Sequence, residues 1–128
     1  MKLLMDTHTF IWWDSDPERL SVQAKTLLQD SENQLLVSVV SLWEMQIKLH
    51  LGKLKLDLSL GEIIESQRVI NRIQILPIQL EHVLALEGLP PHHKDPFDRM
   101  LVAQTLIEEG ILISEDPIFR KYTDQVEW

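Results

Sequence analysis

Four acidic side chains stand where a predicted strand ends or a predicted helix begins. They are Asp6, Glu44, Asp98 and Asp116. If the strands are parallel, their carboxyl ends lie at one edge of the sheet, which is where open α/β sheets bind ligands. Four carboxylates gathered there would repel one another and would raise each other's pKa values. A bound Mg²⁺ or Mn²⁺ would remove that repulsion, because hard cations prefer oxygen ligands.

The chemistry that fits such a cluster is metal-assisted hydrolysis of a phosphodiester. A divalent metal lowers the pKa of a bound water, and the nearby helix N-termini suit a phosphate group. Covalent routes are disfavoured, because the chain has no cysteine and no serine in a G-x-S-x-G setting. The segment DTH (6–8) also lacks the second aspartate of the D-x-D motif that haloacid-dehalogenase-like phosphatases carry.

Each of these acids, taken alone, also has a purely structural explanation as a helix cap. Ser41 and Glu44 fit the capping box S-x-x-E, in which the glutamate bonds back to the serine amide. Asp6 would cap a turn through Thr7. Caps of this kind contribute about 1 kcal/mol each, so both explanations stay open for either residue.

The same holds for the two aspartates that precede prolines. Asp95 and Asp116 are each followed by proline, the pattern of an N-cap before the first helical residue. Asp98 would then lie at the third helical position, where an acid complements the helix dipole. Only the convergence of all four acids on one edge favours a metal site over capping.

The elements that must position these residues form an α/β pattern, with short apolar runs between amphipathic segments. The predicted strands are residues 2–5, 34–38, 73–78 and 111–114, with a fifth at 126–128. The predicted helices are residues 21–32, 41–53, 59–72, 80–89, 96–110 and 116–122. The run ILIS (111–114) is fully apolar, as a buried parallel strand is. The sequence therefore predicts a parallel sheet covered by helices on both faces.

The composition is that of one domain. The 128 residues suffice to bury a core without disulfides, and the lack of cysteine fits a reducing compartment. No apolar run is long enough to span a membrane, and the N-terminus does not have the pattern of a signal peptide. We therefore expect a soluble, cytoplasmic protein with no membrane contact. The net charge of −8 argues against a broad basic surface for duplex DNA, but acids that hold cations leave nucleic-acid substrates open.

Four segments resemble, in order, the motif regions of PIN-domain proteins. They are LLMDTHTFIWW, VSVVSLWEMQIK, HHKDPFDRMLVAQTL and ILISEDPIF. Within that family, the segments are similar to VapC-like ribonuclease toxins of bacterial type II toxin–antitoxin systems. The order and spacing of the four motifs, from residue 2 to about 120, make the resemblance specific. It implies a single PIN domain over residues 1–128, built as a three-layer α/β/α sandwich around about five parallel strands.

The resemblance also implies an endoribonuclease that depends on Mg²⁺ or Mn²⁺. Asp6, Glu44 and Asp98 match the three central metal-binding acids of the family. Asp116 matches a fourth, more variable acid. Ser114 matches a small hydroxyl residue that would orient Asp6 or a metal-bound water.

The third motif departs from the commonest family form, which has a single aspartate before ALIAA. Here DPFDRMLVAQ offers two aspartates. Counting back from Ala103 aligns Asp98 with the family position and leaves Asp95 as the helix cap. Arg99 would pair with a carboxylate or a phosphate, or would be a solvated surface residue.

The resemblance implies an RNA substrate, a cognate antitoxin and a homodimer. One alternative keeps the fold and the metal site but assigns a role in RNA processing without toxicity. Another is a PIN-like domain that binds a partner without cleaving. The intact set of four acids argues against the second alternative, because a binding module has no need to gather them.

Histidines and lysines near the motifs each leave two explanations open. His92 and His93 would lie in a solvated loop or would reach the substrate, and His8 beside Asp6 would contribute weakly. A second group is basic and surrounds Gly52: Lys48, Lys53 and Lys55. These lysines would form a rim that guides RNA phosphates, or a solvated helix end whose dipole they complement.

Overall fold

The computed structural model describes all 128 residues, and its centre is one sheet of five parallel strands. The strands are β1 (Lys2–Met5), β2 (Gln34–Ser38), β3 (Gln74–Leu76), β4 (Ile111–Ile113) and β5 (Val126–Glu127). Their spatial order is β3-β2-β1-β4-β5, so β1 lies in the middle. All five predicted strands are present, which confirms the predicted parallel α/β sheet.

Six α-helices connect the strands. They are α1 (Thr7–Ser15), α2 (Val22–Gln29), α3 (Val39–His50), α4 (Leu60–Asn71), α5 (Leu80–Ala85) and α6 (Pro96–Ile107). Three short 3₁₀ segments lie at Pro17–Arg19, Leu86–Gly88 and Pro117–Lys121. The longest helices have 12 residues, and none combines the length and apolar character that a membrane span requires.

The sheet separates two apolar layers because successive strand residues point to opposite faces. On one face, Leu3 and Met5 of β1 pack with residues of α1, α2, α3 and α4. On the other face, Leu4 of β1 packs with Leu101 and Val102 of α6. Helix α5 packs against α6 outside this second layer. The molecule is therefore the three-layer α/β/α sandwich that the sequence predicts.

Helix α1 is the main element that the sequence pattern does not predict. Its residues THTFIWWDS are rich in β-branched and aromatic side chains, which are weak helix formers, and they form no single apolar stripe. Two contacts fix it instead. Asp6 caps its N-terminus by accepting from the Thr9 backbone N–H at 2.8 Å, and Phe10 is buried in the core.

A buried polar network fastens α5 to α6 at the opposite end of the sheet from the acids. His82 is fully buried; its Nδ1 accepts from the Gln79 backbone N–H at 3.0 Å, so Nε2 donates to Glu108 Oε2, also at 3.0 Å. Lys2 reaches Oε1 of the same glutamate at 3.3 Å. These hydrogen bonds, above all the one from His82, lower the pKa of Glu108. The network explains a buried histidine without any catalytic role.

Candidate metal centre

The carboxyl end of the sheet opens into a pocket of about 510 Å³ in which half of the lining residues are acids. The acidic lining residues are Asp6, Glu44, Asp95, Asp98, Glu115 and Asp116. All four acids singled out from the sequence are among them. The parallel topology brings them together because β1, β2 and β4 are neighbours whose carboxyl ends lie at one edge, and α6, which leads into β4, begins at the same edge.

Asp6 lies at the bottom of the pocket, directly after β1, and only 7% of its surface is exposed. Both of its oxygens are held, because Thr9 N–H donates to Oδ1 at 2.8 Å and Ser114 Oγ donates to Oδ2 at 2.6 Å. Burial raises the pKa of Asp6, and these hydrogen bonds oppose the rise. The hydroxyl of Ser114 therefore orients Asp6. This is one of the two roles that we expected for Ser114, the other being to orient a metal-bound water.

Glu44 does not cap a helix, so the capping box that was one of two explanations for Ser41 and Glu44 is wrong. Helix α3 begins earlier, at Val39, and its N-cap is Ser38, whose Oγ accepts from Val40 N–H. Since Glu44 is thereby one turn further into the helix, its carboxylate reaches the pocket.

The partners of Glu44 lie around the pocket. Thr7 Oγ1 donates to Glu44 Oε1 at 2.7 Å, and Lys48 Nζ lies 2.9 Å from Oε2. Thr7 is the first residue of α1 and is buried, so the helix that the sequence pattern missed also supplies a contact to the site.

Asp98 is held by His93, for which the sequence left open whether it lies in a solvated loop or reaches the substrate. His93 Nε2 donates to Asp98 Oδ2 at 2.8 Å, and Oδ1 accepts no hydrogen bond from the protein. His93 is not among the residues that line the pocket, and its hydrogen bond fixes the orientation of the Asp98 carboxylate. Asp95 caps α6 by accepting from the N–H groups of Phe97 and Asp98, as predicted.

The pKa of Asp98 is raised to about 6. The largest cause is burial, and the charges of Asp95 and Glu44 add to it, whereas the hydrogen bond from His93 acts in the opposite direction. The predicted repulsion between carboxylates is thus present, but it is secondary to desolvation. A positive charge in the pocket would relieve both effects.

Asp116 completes the group from the more exposed side of the pocket. Its Oδ1 caps the 3₁₀ segment by accepting from Ile118 N–H at 3.0 Å. Its own N–H donates to Ser114 Oγ at 3.1 Å, so one hydroxyl joins Asp6 to the Asp116 backbone. One ligand atom each of His93, Asp98 and Asp116 lie within 4.8 Å of one another, close enough to bind a single ion.

Arg99 pairs with no carboxylate and is not a free surface residue, because its guanidinium binds the loop before α6. Nη1 donates to Pro90 O at 3.0 Å and to Tyr122 Oη at 3.2 Å, and Nη2 donates to Leu89 O at 3.3 Å. Tyr122 Oη also accepts from the His93 N–H at 2.8 Å. These contacts fix the loop that carries the histidine which supports Asp98.

The donor set fits a hard divalent cation. Six carboxylates line the pocket, and Mg²⁺ and Mn²⁺ prefer such oxygen ligands over nitrogen or sulfur donors. Several of these oxygens are oriented by hydrogen bonds from neighbouring residues, as supported metal ligands usually are. Burial raises the pKa values of both Asp6 and Asp98. Such raised values are expected of a cation site in its metal-free form, because the carboxylates then lack the positive charge that would stabilise them.

Comparison with known proteins places this geometry in a family. The family model described as "PIN domain" matches residues 3–125. Among curated proteins, the chain is similar to Ribonuclease VapC22 of Mycobacterium tuberculosis. The two are 27% identical over 122 residues, which cover 94% of this chain and 91% of that protein.

Solved structures share the fold over nearly the whole chain. VapBC2 from Rickettsia felis, bound to a DNA fragment from its promoter, matches with a TM-score of 0.67 at 14% identity, covering 99% of this chain and 98% of that one. VapBC-1 from nontypeable Haemophilus influenzae matches with a TM-score of 0.65 at 18% identity, covering 99% and 97%. Because the family model spans almost every residue and the fold agrees, this chain belongs to the PIN domain family.

Proposed function

We propose that this chain is a metal-dependent endoribonuclease and the toxin of a type II toxin–antitoxin pair. It would act as a single domain over residues 1–128, in the cytoplasm. The observation that carries the proposal is the placement of Asp6, Glu44 and Asp98 around one pocket, with Asp116 at its exposed side. The similarity in sequence to a ribonuclease and in fold to the toxin–antitoxin complexes VapBC2 and VapBC-1 supports the substrate and the toxin role.

Asp6, Glu44, Asp98 and Asp116 would hold Mg²⁺ or Mn²⁺. When bound, the cation supplies Lewis-acid stabilisation of a phosphodiester oxygen and makes hydroxide available near neutral pH. The chain itself contributes orientation. Ser114 fixes Asp6, Thr7 fixes Glu44, and His93 fixes Asp98, each through a hydrogen bond to one carboxylate oxygen.

The wall of the pocket suits single-stranded RNA. His8 and Trp12 both line it, and their rings stack with centroids 5.7 Å apart and planes 29° apart. Single-stranded RNA is recognised largely by stacking of its bases on aromatic side chains. A strand whose phosphate enters the acidic pocket would therefore find an aromatic surface for the adjoining base.

The purified protein is expected to cleave RNA with added Mn²⁺ or Mg²⁺ and to lose cleavage in EDTA. The physical reason is that the acids alone repel a phosphate, so the cation is needed to bind and activate it. Gel analysis of a long single-stranded RNA provides the measurement. Return of activity when Mn²⁺ is added in excess of EDTA distinguishes metal dependence from denaturation.

The control is a direct measurement of metal binding. Mn²⁺ in excess of its Kd should raise the Tm, since 100 Kd of ligand stabilises by about 2.7 kcal/mol. Cleavage that persists in EDTA would contradict the proposed mechanism. If the protein shows neither cleavage nor a Tm shift, the acids act as helix caps and not as metal ligands.

An apolar stripe beside the pocket suits the antitoxin. Trp43 and Ile47 of α3 and its C-cap residue Leu51 follow one another at a spacing of four residues, and all three are exposed. The Trp43 ring is 59% exposed and packs edge-on against Phe97, the residue before Asp98. We propose that an apolar segment of the antitoxin binds this stripe. Because the stripe adjoins the acids, a bound segment would also block the pocket.

A separate apolar surface suits the proposed homodimer. Leu80, Val83 and Leu84 on α5 are exposed. We expect Leu84→Glu to convert a dimer to a monomer, because a charge buried in an apolar contact is strongly unfavourable. Light scattering after size exclusion provides the measurement, and Glu81→Gln on the same helix is the matched control. A monomeric wild type, or a Leu84→Glu protein that stays dimeric, would exclude this surface.

A further inference from the structure

Lys48 is the only lysine or arginine that lines the acidic pocket. Six carboxylates share the pocket with it. Its side chain is about one-third exposed, so the ammonium is within reach of a molecule that enters. Of the three lysines around Gly52, Lys53 and Lys55 are exposed and lie outside the pocket lining. Lys48 is thus the member of that group with access to the site.

In this structure the ammonium of Lys48 is bound to Glu44. Nζ lies 2.9 Å from Oε2, and the two residues are one helical turn apart on α3. The Lys48 side chain is 33% exposed and that of Glu44 is 12% exposed, and ion pairs of this spacing are weak where solvent reaches the ammonium. Glu44 does not depend on Lys48 for its position, because Thr7 Oγ1 holds the other oxygen at 2.7 Å. The pair is therefore easily exchanged for a stronger one.

Binding of a divalent cation by Glu44 would weaken the attraction between that carboxylate and Lys48. The ammonium would then lie beside the site with its main partner neutralised. The next anion to enter the pocket is the phosphate of the substrate, and lysine binds phosphate well as a flexible point charge. A phosphate surrounded by six acids also needs compensating charge, and Lys48 is the only side chain of the lining that carries a fixed positive charge.

We propose that Lys48 is a substrate-binding residue whose Nζ moves from Glu44 to a non-bridging oxygen of the RNA phosphate in the pocket. The inference rests on the proposed function and deepens it by naming the residue that binds the phosphate. A purely structural role predicts something different. If Lys48 only balances the charge of Glu44, its loss would alter metal binding and stability but not the interaction with RNA.

Lys48→Met tests the proposal, because methionine keeps most of the apolar stem and removes the ammonium. We expect kcat/KM for RNA at saturating Mn²⁺ to fall about 10- to 100-fold, the range for loss of a charged hydrogen bond. The Mn²⁺ concentration at the midpoint of the Tm shift should stay the same or decrease, because Glu44 loses a competing cation. Lys53→Met is the matched control and should change neither quantity.

A binding measurement makes the test independent of cleavage. RNA affinity is measured by fluorescence anisotropy with Ca²⁺ in place of Mg²⁺, since Ca²⁺ also takes oxygen ligands, over a series of salt concentrations, and gel analysis checks that the RNA stays intact. Removal of one phosphate contact should reduce the slope of log Kobs against log salt by about 0.7. The wild type and Lys48→Met proteins, both with all four acids in place, are compared directly.

Two results would overturn the proposal. One is a kcat/KM within twofold of wild type with an unchanged salt slope, which would leave Lys48 as a counter-ion of Glu44. The other is a lower kcat/KM together with a higher Mn²⁺ midpoint, which would place the effect in the metal site. If the wild type cleaves no RNA but its RNA binding loses slope with Lys48→Met, the nuclease proposal fails and the phosphate contact stands.

Discussion

The Asp98→Asn variant is expected to lose RNA cleavage by about 1,000-fold or more, while its metal-free form becomes more stable than the wild type. Asparagine keeps the shape of the side chain and can still accept from His93 Nε2, but it carries no charge. Loss of a charged ligand removes several kcal/mol of transition-state stabilisation by the cation, and each 1.36 kcal/mol is a factor of ten in rate.

The gain in stability follows from the pKa of Asp98, which folding raises from 3.8 to about 6. A carboxyl group with a raised pKa favours the folded state fully below pH 3.8, and this contribution is lost as the pH rises through 6. At pH 7.5 the charged Asp98 side chain therefore destabilises the metal-free fold by about 3 kcal/mol relative to the neutral side chain. The asparagine side chain is neutral, so its burial does not carry this free-energy cost.

The measurement is the Tm of both proteins in EDTA across the pH range. The difference between Asp98→Asn and wild type should be small near pH 4 and should grow in favour of the variant up to pH 7.5. Addition of Mn²⁺ should stabilise the wild type and have much less effect on the variant. A metal-free variant that is markedly less stable than wild type at pH 7.5 would support helix-dipole stabilisation as the main role of Asp98.

Much of the fold follows from local pattern, and the acids show why. Each of β1, β2 and β4 is a short apolar run that ends at a polar residue, and parallel topology then places those ends together. Asp6 and Asp116 also show that capping and metal binding are compatible. Each accepts a backbone N–H at a helix start while its carboxylate lines the pocket.

Features that depend on tertiary contacts could not be predicted from the local sequence pattern. Helix α1 has poor helix propensity and is fixed by its cap and by the burial of Phe10. The capping box at Ser41 failed because Ser38 caps α3 first, a choice between two serines that depends on where β2 ends. The bond between His93 and Asp98 depends on the path of a loop with no periodic pattern. No sequence signal distinguishes His93 from its neighbour His92.

That loop is held by Arg99, and Arg99→Met is expected to lower both stability and activity. The variant loses the hydrogen bonds to the carbonyls of Leu89 and Pro90 and to the hydroxyl of Tyr122. Hydrogen bonds from a charged donor to these partly exposed acceptors contribute about 1.5 kcal/mol, which corresponds to a decrease in Tm of about 6 °C for a chain of this size. Since the loop carries His93, we also expect Asp98 to lose its fixed orientation.

The expected effect on activity is a decrease of about 10- to 100-fold in kcat/KM or in Mn²⁺ affinity, as for other residues that orient a metal ligand. Both are measured at a temperature where every variant is folded, with Arg68→Met on the exposed side of α4 as the matched control. Tyr122→Phe should reproduce part of the decrease, because Tyr122 Oη accepts from both Arg99 and the His93 N–H. An Arg99→Met protein with a lower Tm but wild-type cleavage and Mn²⁺ midpoint would mean that the loop stabilises the fold without orienting Asp98.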